Sequence, residues 1–91
     1  MSLEETFKKI KNKCKELKQK YRVNSLVTLP IQERECLAQL WEQYVAVLPP
    51  EYKRHAIAIL GYPGIIRLEE LPNKIREDPR LASLIVKLYG R

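Results

Sequence analysis

Six apolar side chains near the N-terminus, Leu3, Phe7, Ile10, Cys14, Leu17 and Tyr21, recur at spacings that alternate between four and three residues. A helix advances about 100° per residue, so this spacing stacks all six on one narrow stripe, whereas a strand would scatter them over both faces. The pattern predicts a helix over about residues 3–22. Ser2, followed three residues later by Glu5, supplies a capping-box start. The stripe covers under three heptads. It therefore asks for a core to lie on, either its own or a partner's, without requiring a coiled coil.

The remaining chain is punctuated by proline and glycine. Asn24 and Ser25 suggest a turn, and Thr28 is placed to cap a second helix with Pro30 in its first turn. Leu37, Leu40, Trp41, Tyr44 and Leu48 repeat at helical spacing, so this helix should run to about Val47, where Pro49-Pro50 stops it. Pro50 then suits the start of a third helix, with Tyr52, Ala56, Ile59 and Leu60 on one face and Gly61 as its cap. Pro63 and Gly64 fit the central positions of a type II turn. Ile65 to Leu71 reads as a short helix, and Pro72 either breaks it or begins another through Glu77. Asp78 caps a last helix with Pro79 in its first turn, an inner face of Leu81, Leu84, Ile85 and Leu88, and Gly90 closing it. No alternating strand pattern of useful length is apparent. The expectation is an all-α protein: one domain of 91 residues, a compact bundle of five to six short-to-medium helices with a long N-terminal one. Within it, the basic amphipathic helix takes about 3–22 and the helical bundle about 28–90.

Charge is concentrated in the first helix. Residues 8–22 hold Lys8, Lys9, Lys11, Lys13, Lys15, Lys18, Lys20 and Arg22 against a single acid, Glu16. Residues 23–91 hold nine cations and eight acids, so this one segment, at +7, exceeds the net charge of +6 of the whole chain. On a helix the cations fall into two rows, each about 100° from the apolar stripe. Lys8, Lys11, Lys15, Lys18 and Arg22 form one; Lys9, Lys13 and Lys20, with Glu16 among them, form the other. Like charges three and four residues apart repel by roughly 0.2–0.5 kcal/mol per pair. A helix selected only for stability would mix signs, so the two rows point to an anionic partner. Lysine tracks phosphate as a point charge, and Phe7 and Tyr21 are held in the stripe, where they offer bases no stacking platform. The expected mode is sequence-independent contact with the nucleic-acid backbone. With about five phosphates engaged, log K should fall with log salt at a slope of about −4.5. Lys53 and Arg54, beside His55, form a possible secondary basic patch.

Other chemistry finds no constellation. Cys14 and Cys36 are not a C-x-x-C pair and the one histidine, His55, cannot complete a zinc set, so the cysteines read as small core hydrophobes of a reducing, cytoplasmic setting. Glu69 and Glu70 are adjacent and would point to different helix faces. There is no glycine-rich phosphate loop and no nucleophile motif. Residues 50–71 could imitate a helix-turn-helix, but Ile65-Ile66-Arg67-Leu68 offers few base-contacting side chains. The aromatics Trp41, Tyr44, Tyr52, Tyr62 and Tyr89 read as core and rim. No apolar run exceeds five residues and no secretory signal is visible, so no membrane association is expected. The chain is read as a non-enzyme, with no metal, no cofactor and no small-molecule substrate.

Residue usage, with abundant lysine and glutamate and a single aspartate, is like that of hyperthermophile proteins. The lysine-rich opening helix, the short length and the proline-punctuated helices (Leu48-Pro49-Pro50, Asp78-Pro79) together resemble the small basic helical proteins of hyperthermophilic archaea and their viruses. Among these it resembles the accessory subunits that ride on the crenarchaeal replicative family-B DNA polymerase. The resemblance is one of character and assigns no residue a role. It implies a non-catalytic subunit that helps to hold a polymerase on DNA. The expected function is thus an accessory, nucleic-acid-associated module of a replication or processing complex. The alternative is a protein–protein adaptor, cellular or viral, whose basic helix docks on an acidic surface.

Overall fold

The protein is seen in a computed structural model that describes residues 2–21, 29–59 and 61–90. Its first helix, α1, runs Leu3–Tyr21, and Ser2 caps it by accepting the Glu5 amide on its Oγ at 3.1 Å. Arg22, the turn at Asn24-Ser25 and the cap at Thr28 lie outside the described residues. Helix α2 spans Ile31–Val47. Pro30 occupies its N-cap position instead of its first turn, and no side chain caps it.

The region after Pro49-Pro50 differs from expectation. Helix α3 is a single turn, Pro50–Lys53, and the chain then forms strand β1, Ala56–Ile57. This strand pairs antiparallel with β2, Ile66–Arg67, in the register Ala56↔Arg67 and Ile57↔Ile66. The run Ala56-Ile57-Ala58-Ile59 alternates small and large residues, and its burial alternates with them: the alanines are exposed, Ile57 half-buried and Ile59 buried. That period of two belongs to a strand. Helical spacing over the same residues competes with it, and the tertiary pairing decides. Gly64, at φ +89°, takes the left-handed conformation that the third position of a type II turn demands. Gly61 is therefore part of a hairpin connection and caps no helix. The expected helix over 65–71 is likewise replaced by β2 and a 3₁₀ turn at Leu68–Glu70, so nothing here has the geometry of a helix-turn-helix. Pro72 begins α4, Leu71–Glu77. Asp78 then caps α5, Pro79–Tyr89, by accepting the Arg80 amide at 3.0 Å and the Leu81 amide at 3.4 Å.

Helix α1 packs on α2 and α5, α2 packs on α4, and α4 packs on α5, which closes a ring of four helices. Ile10, Cys14 and Leu17 meet Leu37, Trp41, Ile75, Leu81, Ile85 and Val86 inside it. The radius of gyration, 12.3 Å, is that of one packed domain of this length, for which roughly 12 Å is expected. Phe7, Trp41, Tyr44 and Tyr89 interlock at centroid separations of 5.3–5.8 Å where α1, α2 and α5 converge. Cys14 is fully buried there, and burial pushes its thiol pKa up to about 12; Cys36 is only half-buried. The buried face of α5 is Leu81, Ala82, Ser83, Ile85 and Val86, so Leu84 and Leu88 lie at its margin. Among the described residues, no helix is long and apolar enough to cross a membrane.

Candidate nucleic-acid interface

The fold treats the two lysine rows of α1 differently. The residues α1 buries are Thr6, Ile10, Cys14 and Leu17, while Leu3 is 37% exposed and Phe7 and Tyr21 are half-buried. The inward face is therefore rotated by about 25° from the apolar stripe, toward the row of Lys9, Lys13 and Lys20. Thr6 can be buried because its Oγ1 donates to the carbonyls of Ser2 and Leu3, at 3.2 and 3.0 Å.

The rotation draws that row against α2. The Lys13 side chain is 17% exposed and lies 3.5 Å from Oε1 of Glu33 on α2 and 3.6 Å from Glu16. Lys20 approaches the other Glu33 oxygen at 3.7 Å. Burial pulls the Lys13 ammonium down, but Cys36, Glu33 and Glu16 together more than offset it, so its pKa lies above the ordinary lysine value. The second Glu33 oxygen is buried without a hydrogen bond, which leaves Lys20 as its countercharge. Lys9, on the same flank, is also engaged.

The other row keeps its charge outward. Lys8, Lys11 and Lys15 are exposed and Lys18 is half-buried. Lys11 lays its stem along the Phe7 ring, with its ammonium 5.6 Å from the centroid. Among the described residues, none of these four is in an ion pair. The four ammonium groups project from one side of α1 over roughly 15 Å of helix length. Asn12 and Gln19 lie exposed on the crest between the rows.

The secondary patch does not join this row. Lys53 is half-buried and Arg54 exposed at the end of α3, which rests chiefly on the 3₁₀ turn, whereas α1 lies against α2 and α5. The α2–α4 side of the molecule is tied by Arg76. Its guanidinium bonds Glu35 at 2.7 and 3.0 Å, Asn73 at 3.1 Å, and Glu42. Arg34 donates to the Arg76 carbonyl at 3.0 Å. These bonds hold the Glu35 carboxyl below its usual range. A cleft of about 360 Å³ opens beside this cluster, lined by Glu42, Glu69, Pro72 and Arg76 among others. With its arginine already paired, it offers an anion nothing. No group of three or more metal-ligating side chains occurs among the described residues.

What the fold and this surface define is a mainly helical domain with one cationic helix flank drawn against α2 and the other presented to solvent. Comparison with known protein families, characterised proteins and solved structures finds no match.

Proposed function

We propose that the protein is a non-catalytic, nucleic-acid-associated module that grips phosphate backbones through Lys8, Lys11, Lys15 and Lys18, as an accessory, stabilising subunit of a DNA replication or processing complex. The observation that carries this is the outward row itself: four lysines on one flank in no ion pair among the described residues, while Lys13 and Lys20 on the opposite flank share the Glu33 carboxylate. Such a row repels itself, and a polyanion relieves the repulsion while releasing counterions. Four phosphate contacts give a salt slope of about −3.6 on a duplex. With only lysines and no free aromatic on that flank among the described residues, the contact is to the backbone and carries little sequence preference. The protein-contact half of the role falls to α3 and the hairpin connection, where Tyr52 and Ile65 are exposed at 46% and 71%.

Fluorescence anisotropy with labelled duplex and single-stranded DNA at 50 mM salt tests this. Micromolar binding that disappears when Lys8, Lys11, Lys15 and Lys18 are replaced by glutamate supports it; binding unchanged in that variant contradicts it. Absence of DNA and RNA binding, together with salt-sensitive capture of an acidic protein, would favour the adaptor role instead.

A further inference from the structure

We infer that the phosphate-binding surface extends onto α5, where Arg80 and Lys87 form a second cationic rail beside the lysine flank of α1, and that the two rails together fit the paired strands of a nucleic-acid duplex. This rests on the phosphate-binding role of α1 and assigns that surface two further residues and a preferred form of nucleic acid.

Helix α5 contains no acidic residue over Pro79–Tyr89. Its two cations are seven residues apart, about two turns, so they share one strip roughly 10 Å long. That strip faces away from the core: Arg80 and Lys87 are exposed, while Leu81, Ala82, Ser83, Ile85 and Val86 are buried. Neither cation is in an ion pair among the described residues. The Asp78 carboxylate at the start of the helix is spoken for, since it accepts two backbone amides and the Tyr62 hydroxyl at 2.9 Å. Arg80 also stands in the first turn, where the positive end of the helix dipole disfavours a cation. Helix stability therefore gives no reason for an arginine there.

The rail lies on the correct side of α1. The Lys13 and Lys20 flank meets α2 through Glu33, so the opposite flank is the one nearer α5, the other helix against which α1 packs. Phe7, over which Lys11 lies, touches Tyr89 of α5 at a centroid distance of 5.8 Å. Gly90 closes α5 directly against α1: a Cβ added there would lie 2.9 Å from the Cys14 carbonyl oxygen. The result is a polarised molecule. Helices α1 and α5 hold nine cations and three acids, whereas the described residues from 29 to 78 hold six cations and eight acids.

Two packed helices place their axes about 8–10 Å apart. The long, flexible lysine and arginine stems can adjust from that axis spacing to the width of a duplex groove, about 6 Å for the minor and 12 Å for the major groove. A single extended strand can follow one rail at a time; a duplex presents a phosphate strand to each.

The test compares the full-length protein with its Arg80→Gln/Lys87→Gln variant on duplex and single-stranded DNA of matched sequence across a salt series. Loss of two duplex contacts should make the duplex slope shallower by about 1.8 and weaken duplex binding roughly 50-fold at 0.1 M salt. Single-strand binding should change by less than about threefold, and the thermal midpoint should not move. The swapped variant Arg80→Lys/Lys87→Arg should retain duplex binding. An unchanged duplex slope, while glutamates at Lys8, Lys11, Lys15 and Lys18 abolish binding, would overturn the second rail and leave the role of α1 standing. Equal losses on duplex and single strand would overturn the duplex assignment. Failure of the unaltered protein to bind any nucleic acid would overturn both.

Discussion

The two flanks of α1 carry the same residue type on the same helix, yet one serves the fold and the other faces solvent. Lys13 and Lys20 are countered by a single half-buried glutamate on α2; among the described residues, Lys8, Lys11, Lys15 and Lys18 meet no carboxylate. The cause is a modest rotation of the helix on its core, which makes room for Thr6 and brings one row into the α1–α2 seam. A charge block is thus not one functional unit. Its parts acquire different roles from the direction in which the helix is pressed.

Charge reversal separates those roles most strongly. Glutamate at Lys8, Lys11, Lys15 and Lys18 should lower nucleic-acid affinity by about 10³-fold or more at 0.1 M salt, while the thermal midpoint stays level or rises as self-repulsion is relieved. Gly90→Ala should act through the fold instead. Its methyl group meets the Cys14 and Val86 carbonyls, so α5 must back away from α1, at a cost of about 1–3 kcal/mol in chemical denaturation. Glu33→Gln should be milder, near 1 kcal/mol, because the pairs it breaks are partly solvated. It should also strengthen nucleic-acid binding severalfold by releasing Lys13 and Lys20; weaker binding would break the division between flanks.

The smallest effect is in pH. The Glu35 pKa is lowered in the folded protein, first by its hydrogen bond to Arg76, so its contribution is present above the unfolded carboxylate range, about 4.3, and is lost as the pH falls through the folded value. The Lys13 pKa is raised in the folded protein, so its contribution is complete below the unfolded lysine value, about 10.4, and is lost as the pH rises through the folded one. Denaturation midpoints measured across pH should therefore show an acid limb that Arg76→Gln flattens and an alkaline limb that Glu33→Gln flattens.

Periodicity made α1, α2 and α5 readable because each buries residues at helical spacing against a ring of neighbours, and Asp78-Pro79 marked a helix start that the structure keeps. The hairpin was not readable in the same way. Ala-Ile-Ala-Ile-Leu satisfies both a helical and an alternating pattern, and what decides between them is a pairing of Ala56 with Arg67, beyond any local window. The two lysine rows were legible as rows, but their separation into an engaged and an outward flank was not. It depends on Glu33, twenty residues from Lys13 in sequence, and on a rotation of the buried face that Thr6 permits. The acid-free α5 was visible in the sequence; that its cations stand beside α1 follows only from the packing.

The division of the lysine rows is tested most directly by neutralising each in turn and measuring the salt slope of duplex binding. Glutamine at Lys8, Lys11, Lys15 and Lys18 should remove about 3.6 from the slope and leave stability intact; glutamine at Lys13 and Lys20 should leave the slope within about 0.5 and lower the denaturation midpoint. Equal changes in slope from the two variants would contradict it.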